Sequence, residues 1–384
     1  MSYLSNAAVN RLNIHTGLHS LAWNLSGNFL VVFLLSHGFP AKEVFLYLAL
    51  ILALRFVLRP VVLYLAPRIG SRRALYLGIG FFALQYVLLG YVNGVNHAFI
   101  AYCGVNVLTD IFYWTSYHSI FAFAGDEPHR GKQISVRDAL ETMTTIVAPL
   151  VGGMAIDYVG AKSTFAIAAV IEILSILPLL RVPDVPIAET RPHGTFRPVY
   201  QGALIFMTAG WVAAGFTFVW PVMLFRATGS SFTVFGGALA LAGLLSAIGG
   251  LLLGHLIDVG RRRDTVLLMN GVFFVLALAL RAGAGQGLAT MLSITAVSSF
   301  LSIGYAPILM TAIYSMAAKA PCPLRFIFVT ESTYDIGCVA ACLVTAGLFS
   351  AGMIPGWAVA IAIPGAILQM VLLHVYYAKR SRIK

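Results

Sequence analysis

Twelve stretches of about twenty mainly apolar residues, separated by short polar turns, run the length of this chain. A helix crosses the ~30 Å hydrocarbon core of a bilayer with ~20 such residues. Backbone polar groups at that depth must be satisfied within the segment itself, which favours helices. The pattern predicts spans at 14–37, 44–66, 74–96, 98–124, 134–157, 163–181, 199–225, 233–256, 264–282, 288–317, 326–349 and 354–378. The longest gap, about 182–198 (RVPDVPIAETRPHGTFRP with its flanks), is rich in proline and charge and cannot be a span. It serves as a linker between an N-terminal set of six spans (1–181) and a C-terminal set of six (199–384). The predicted class is an all-α membrane protein, twelve transmembrane helices in two pseudo-symmetric six-helix bundles.

Composition excludes the soluble alternative. Charged residues make up 10% of the chain and hydrophobic ones 59%, with a mean hydropathy of +0.88. Soluble domains carry about 25% charge. The net charge of +11 has to be read by position, because basic residues of membrane proteins collect on the cytoplasmic side. With a cytoplasmic N-terminus, 18 of the 25 basic residues fall on cytoplasmic segments and four (Lys42, Lys162, Arg226, Arg281) on the other side. That asymmetry predicts both termini inside, and it removes nucleic acid as the partner the positive charge would otherwise suggest. The start of the chain lacks the pattern of a signal peptide. Cys103, Cys322, Cys338 and Cys342 form no CxxC pair or spaced framework, and no cofactor is expected.

Two loops echo each other. The turn after the second span reads LAPRIGSRR (Leu65–Arg73) and that after the eighth reads GHLIDVGRR (Gly254–Arg262); the fifth span ends in Pro149-Leu-Val-Gly-Gly153. These residues resemble the major facilitator superfamily, whose members carry G-x-L-x-D-R-x-G-R-R after spans 2 and 8 and a Pro/Gly-rich end to span 5. The second loop matches at Gly254, Leu256, Asp258, Gly260, Arg261 and Arg262, one residue short. The first keeps Arg68, Gly70, Arg72 and Arg73 but has Leu63 for the family glycine and Pro67 for the family aspartate. The resemblance implies an alternating-access secondary transporter, with a cavity lined mainly by spans 1, 4, 7 and 10 and gating residues at Arg68, Arg72, Asp258 and Arg262.

Ionisable groups at membrane depth are costly, roughly 2.5–3.5 kcal/mol each on insertion scales, and usually face protein or a water-filled cavity. Arg55 and Asp110 lie eleven and twelve residues into their spans from the same side, near the midplane, and are predicted to pair. His19, Arg59, His118 and Glu141 form a layer nearer the cytoplasm. Asp110, Trp114 and His118 recur at four-residue spacing, flanked by Tyr113 and Tyr117, and make one stripe. His15, His19, Trp23 and Asn28 make a similar stripe on the first span. Trp220 on span 7 and Tyr305 on span 10 represent a more aromatic C-half wall, with Pro221 and Pro307 as kinks or breaks. Glu331 and Asp335 on span 11 echo Arg137 and Glu141 on span 5. Glu172, on the sixth span, is expected on the outer shell.

The leading expectation is a proton-coupled secondary transporter of a small organic solute in a bacterial-type inner membrane, acting as a monomer. Asp110, Glu141, Glu331 and Asp335 are its candidate coupling acids. His19, Trp23, Asn28, Arg55, Arg59, Trp114, Tyr117, His118, Trp220 and Tyr305 are its candidate cavity residues. Buried arginines favour an anionic group on the solute. No nucleotide-binding loop is present. The alternative is carriage of a transition metal or chelate by His15, His19 and His118 together with the Asp335/Cys338/Cys342 face. A non-transporting receptor would usually add a soluble domain, and an enzyme a recognisable nucleophile or metal motif; neither is visible.

Overall fold

A computed structural model describes residues 5–127, 129–185, 187, 199–258, 263–285 and 287–381, without the side chains of 251, 253–258, 263–265, 380 and 381. The described elements are all helices, and they fall into twelve runs. These are α1 (Ala7–Ser36), α2 (Ala41–Leu58 with Pro60–Ile69), α3 (Ser71–Leu89), α4 (His97–Ala124), α5 (Arg130–Tyr158) and α6 (Ala161–Leu179). The second half has α7 (Val199–Ala227), α8 (Phe232–Asp258), α9 (Arg263–Ala282), α10 (Leu288–Ala317), α11 (Pro323–Ser350) and α12 (Pro355–Ala360 with Ala362–Ser381). By length and hydropathy, eight described helices are sufficient to cross a membrane, or nine if the pair in α2, bent by 51°, counts as one span. The remaining three carry polar groups in otherwise span-length helices, such as Arg72 and Arg73 in α3, or are apolar over a shorter stretch, as Val266–Ala282 in α9.

The ends differ from the hydropathy reading where polar residues decide them. α1 starts at Ala7 rather than 14, because the Asn6 side chain caps it, accepting from the Val9 amide at 3.1 Å. α3 stops at Leu89 rather than 96. Gly94 (φ +137°) turns the chain, and Asn96 starts α4 by accepting from the Phe99 amide. Six runs are interrupted, α6 and α12 by a single residue each, Ser175 and Ile361. A 3₁₀ turn at Gly27–Phe29 breaks α1, Pro60 bends α2, a π segment at Ala214–Val219 precedes Pro221 in α7, and Ser302–Gly304 breaks α10 just before Pro307.

The two halves repeat one packing pattern. α1 packs on α5 and α6 as α7 packs on α11 and α12; α3 packs on α4 and α6 as α9 packs on α10 and α12. Two long seams join the halves. α5 meets α8 backbone to backbone: a Cβ at Gly236 would strike the Pro149 carbonyl, and one at Gly153 the Phe232 carbonyl. α2 meets α11 along its length, from the stacked rings of Phe45 and Phe349 (5.5 Å) to an apolar cluster of Val62, Ala66 and Leu324.

Candidate functional site

The α2/α11 seam carries charge at mid-depth. Arg55 and Arg59 are one turn apart on α2, and Glu331 and Asp335 one turn apart on α11, so each pair shares a face. Arg55 donates to Asp110 of α4 at 2.7 Å and lies 3.0 Å from Asp335 Oδ1. Arg59 donates to Asp335 Oδ2 at 2.5 Å and to the Thr115 hydroxyl at 3.0 Å, with Glu331 3.8 Å away. His118 Nε2 is 3.5 Å from Glu331 Oε1. Arg59 and Asp335 are fully buried. The predicted Arg55–Asp110 pair is present, and it belongs to a larger network that reaches across both halves. With His118 neutral and all three carboxylates ionised, the network holds two positive and three negative charges, one proton short of neutral.

Side chains close the centre at both ends. At the end bearing the basic loops, Tyr314 of α10 reaches over to α4 and α5. Its hydroxyl accepts from Arg137 at 3.0 Å, so its proton is free to point at His118 Nδ1, 2.7 Å away. Its ring stacks on Phe121 (4.8 Å, 26°). Arg137 also holds Asp138 (2.6 Å) and Glu141 (3.4 Å). Further out, Lys319 and Glu127 form an exposed bridge at 2.9 Å. At the opposite end, Phe29 and Phe33 of α1 pack on Phe232 and Phe235 of α8. There Asp157 of α5 accepts from the Thr233 amide and hydroxyl (2.8 and 2.7 Å).

The first-span stripe faces into the N-half. His15 donates from Nδ1 to the Ser175 carbonyl (3.0 Å), since a carbonyl only accepts, and its Nε2 pairs with the Tyr113 hydroxyl (3.0 Å). Thr16 and Tyr117 join hydroxyls at 2.6 Å. His19 Nδ1 lies 3.0 Å from both oxygens of Glu172. Glu172 is therefore not a shell residue, as the sequence suggested, but a buried partner on the inner face of α6. It is the one carboxylate of the sixth span, and that isolation at depth is the signal that marks it. The histidines do not assemble a metal centre: the His15 and His19 rings stack at 6.1 Å with both His15 nitrogens engaged, and among the described residues no group of three His, Cys, Asp or Glu is placed to hold an ion.

Facing the centre, half-buried Trp23 donates to Asn28 at 2.7 Å across the break in α1, and Asn28 donates to Asn24 at 2.7 Å. Half-buried Trp114 stacks on His118 (5.2 Å). In the C-half, a cavity of about 140 Å³ is lined by Ala213, Phe216 and Thr217 of α7, Tyr305 and Leu309 of α10, and Tyr334 of α11. Trp220 is buried beside it, against Arg281. Arg281 corrects a second expectation. It is not a loop residue but a buried one in the last turn of α9, its guanidinium 4.1 Å from the Phe216 ring and donating to Ser298 (2.8 Å) and the Phe216 carbonyl (3.2 Å). An arginine side chain reaches back toward its helix's N-terminus, into the protein.

Of the four gating candidates, Arg68 folds onto its own helix, stacked on Tyr64 (3.5 Å). Arg72 donates to the Leu180 and Val182 carbonyls at 3.2 and 2.9 Å. The Asp258 side chain and all of Arg262 lie outside the described residues. Where the family motif has an aspartate, this chain has Pro67. A carboxylate nonetheless reaches the turn: Asp184, from the segment after α6, accepts from the Arg72 amide at 3.1 Å.

Comparison with known proteins agrees with this architecture. The model of the Major Facilitator Superfamily matches residues 12–325. The chain belongs to that superfamily. It is a multi-pass membrane protein and a secondary transporter of small-molecule solutes. Its fold is similar to that of the human organic anion transporter MFSD10 (TETRAN), with a TM-score of 0.68 at 15% identity, over 96% of this chain and 99% of that one. No protein of curated function matches it in sequence.

Proposed function

We propose that the chain couples movement of a small organic solute with an anionic group to the proton gradient, by alternating access. The observation that carries this reading is the arginine–carboxylate network joining the halves at mid-depth, one proton short of neutral. When the halves part, Arg55, Arg59 and Asp110 remain with the N-half, and Glu331 and Asp335 with the C-half. An anionic group on the solute satisfies the arginines, which would otherwise be left without partners. A proton on Asp110, Glu331 or Asp335 neutralises a carboxylate that has lost its arginine. Glu141, whose side chain is 41% exposed, is the acid through which protons enter from the centre. Trp23, Asn28, Trp114, Tyr117, Trp220 and Tyr305 line the path, and His19 and His118 sit in its wall.

The anionic preference also has a parallel in the neighbour described as an organic anion transporter. The basic end faces the cytoplasm in this reading, with both termini inside an inner (plasma) membrane. The halves, 1–181 and 199–384, rock as units, in a monomer. Among the described residues, no observation favours the metal reading.

The test is uptake of a panel of organic acids into liposomes under an imposed pH gradient. Wild-type protein accumulates its solute. Asp110→Asn loses accumulation yet keeps solute exchange. Gradient-driven accumulation at the wild-type level in Asp110→Asn removes Asp110 from coupling.

A further inference from the structure

The network above accounts for the charges on α2, α4 and α11. It leaves one buried acid unused. Glu172 of α6 is fully buried, and among the described residues its one ion-pair partner within 4 Å is His19 of α1. The imidazole nitrogen is equidistant from both carboxylate oxygens, at 3.0 Å. Glutamate and neutral histidine together carry one negative charge, and one added proton makes the pair neutral. Isolated buried charges are avoided in proteins, and one proton on this pair removes the charge.

Among the described residues, the surroundings supply no fixed positive charge. His15 on α1 stacks at 6.1 Å, with both its nitrogens committed to Ser175 and Tyr113. From α4, Tyr113 stacks on His19 at 4.5 Å, and Tyr117 faces His15. Tyr86 of α3 is within electrostatic reach of Glu172, and Glu141 of α5 is within reach of His19. The groups around the pair are thus neutral or acidic; Arg137, the cation that holds Glu141, is engaged with Asp138 and Tyr314.

The pair also has a counterpart. Trp114 meets the edge of His19 at 5.9 Å and stacks on His118 at 5.2 Å. His118 in turn lies 3.5 Å from Glu331. Two histidine–carboxylate pairs therefore flank a single half-buried indole. His118–Glu331 crosses between the halves and is broken when they part. His19–Glu172 lies wholly within the N-half and travels with it.

We infer that the His19–Glu172 pair is a second proton-binding site, carried within the N-half, so that each solute moves with two protons rather than one. This rests on the proton-coupled reading above. It assigns one proton to the contact between halves and the other to a site that survives their separation.

The coupling ratio is measured in liposomes, from the solute gradient that just balances known pH and voltage gradients. Wild-type protein should give two protons per solute. Glu172→Gln should give one while still transporting, because glutamine can accept from His19 Nδ1–H but cannot hold a proton. His19→Asn should also give one, at a lower rate, because His19 sits in the wall of the path. A wild-type ratio of one overturns the inference without any variant, and so does a ratio of two that persists in both variants. Loss of gradient-driven transport together with exchange in both variants assigns the pair a structural role and overturns it too. Solute movement indifferent to the pH gradient in wild-type protein instead refutes the proton-coupled reading on which the inference stands.

Discussion

Tyr314→Phe isolates the closure of the basic end. The ring stack on Phe121 is kept, and only the hydroxyl between Arg137 and His118 is removed. Both partners are buried in the closed arrangement, so neither regains water there. A neutral hydrogen bond contributes about 1 kcal/mol and one to a charged donor about 2 kcal/mol, so the closed end loses roughly 3 kcal/mol relative to an open one. At 1.36 kcal/mol per tenfold, that is about a 150-fold shift. An open state populated at ~1%, a usual level for a minor conformer, would rise to roughly 60%. Spin labels at the exposed positions Lys132 and Ala318, in a background with the four native cysteines replaced, report the separation of α5 and α10 at this end. The distance distribution should broaden and move outward in Tyr314→Phe. An unchanged distribution, or one that shortens, refutes the assignment of Tyr314 as the element holding this end shut.

Three further outcomes follow from the geometry. Gly236→Val forces α8 off the Pro149 carbonyl; overpacking of this kind costs about 1–3 kcal/mol and should lower the thermal unfolding midpoint in detergent, whereas Gly237→Val, where a Cβ meets only a Leu150 methyl at 3.7 Å, should not. Glu127→Gln removes a bridge whose side chains are 61% and 53% exposed. Such pairs contribute about 0–1 kcal/mol, so transport rates should stay within a factor of about two; a larger loss would mean that the bridge is part of the gate. Asp184→Ala removes the carboxylate that accepts from the Arg72 amide at the start of α3. Losing such a cap costs about 1 kcal/mol, and hydrogen exchange at Arg72 should speed up about fivefold.

Most of the fold is legible in the sequence because lipid imposes one solution on long apolar stretches. The errors fall where polar residues, not hydropathy, set the boundary: Asn6 extends α1, and the Asn93–Asn96 turn shortens α3. The Arg55–Asp110 pair is foreseeable because helical rise fixes depth. Its extension to Asp335 is not, because depth says nothing about which helices are neighbours, and only the α2/α11 seam brings span 11 to Arg55. Glu172 is misplaced for the same reason, since the direction an isolated carboxylate faces depends on the packing of α6 against α1. Arg281 sits at a predicted span boundary, where residue counting cannot distinguish a loop residue from one whose side chain reaches inward. Asp184 lies in a stretch read as linker, and its docking on the α2–α3 turn has no counterpart in the motif that the loop resembles.

The two seams have different mechanics. Along α5 and α8, backbones touch at Gly153 and Gly236, Asp157 bonds Thr233 at one end, and among the described residues there is no ion pair to break. Along α2 and α11, four charged side chains hold the helices together. In the proposed cycle, a body joined by a smooth line on one side and fastenings on the other opens like a door, with the smooth line as its hinge. The work of opening is concentrated at the fastened side, where a proton or an anion can alter it. The glycines give that motion an axis.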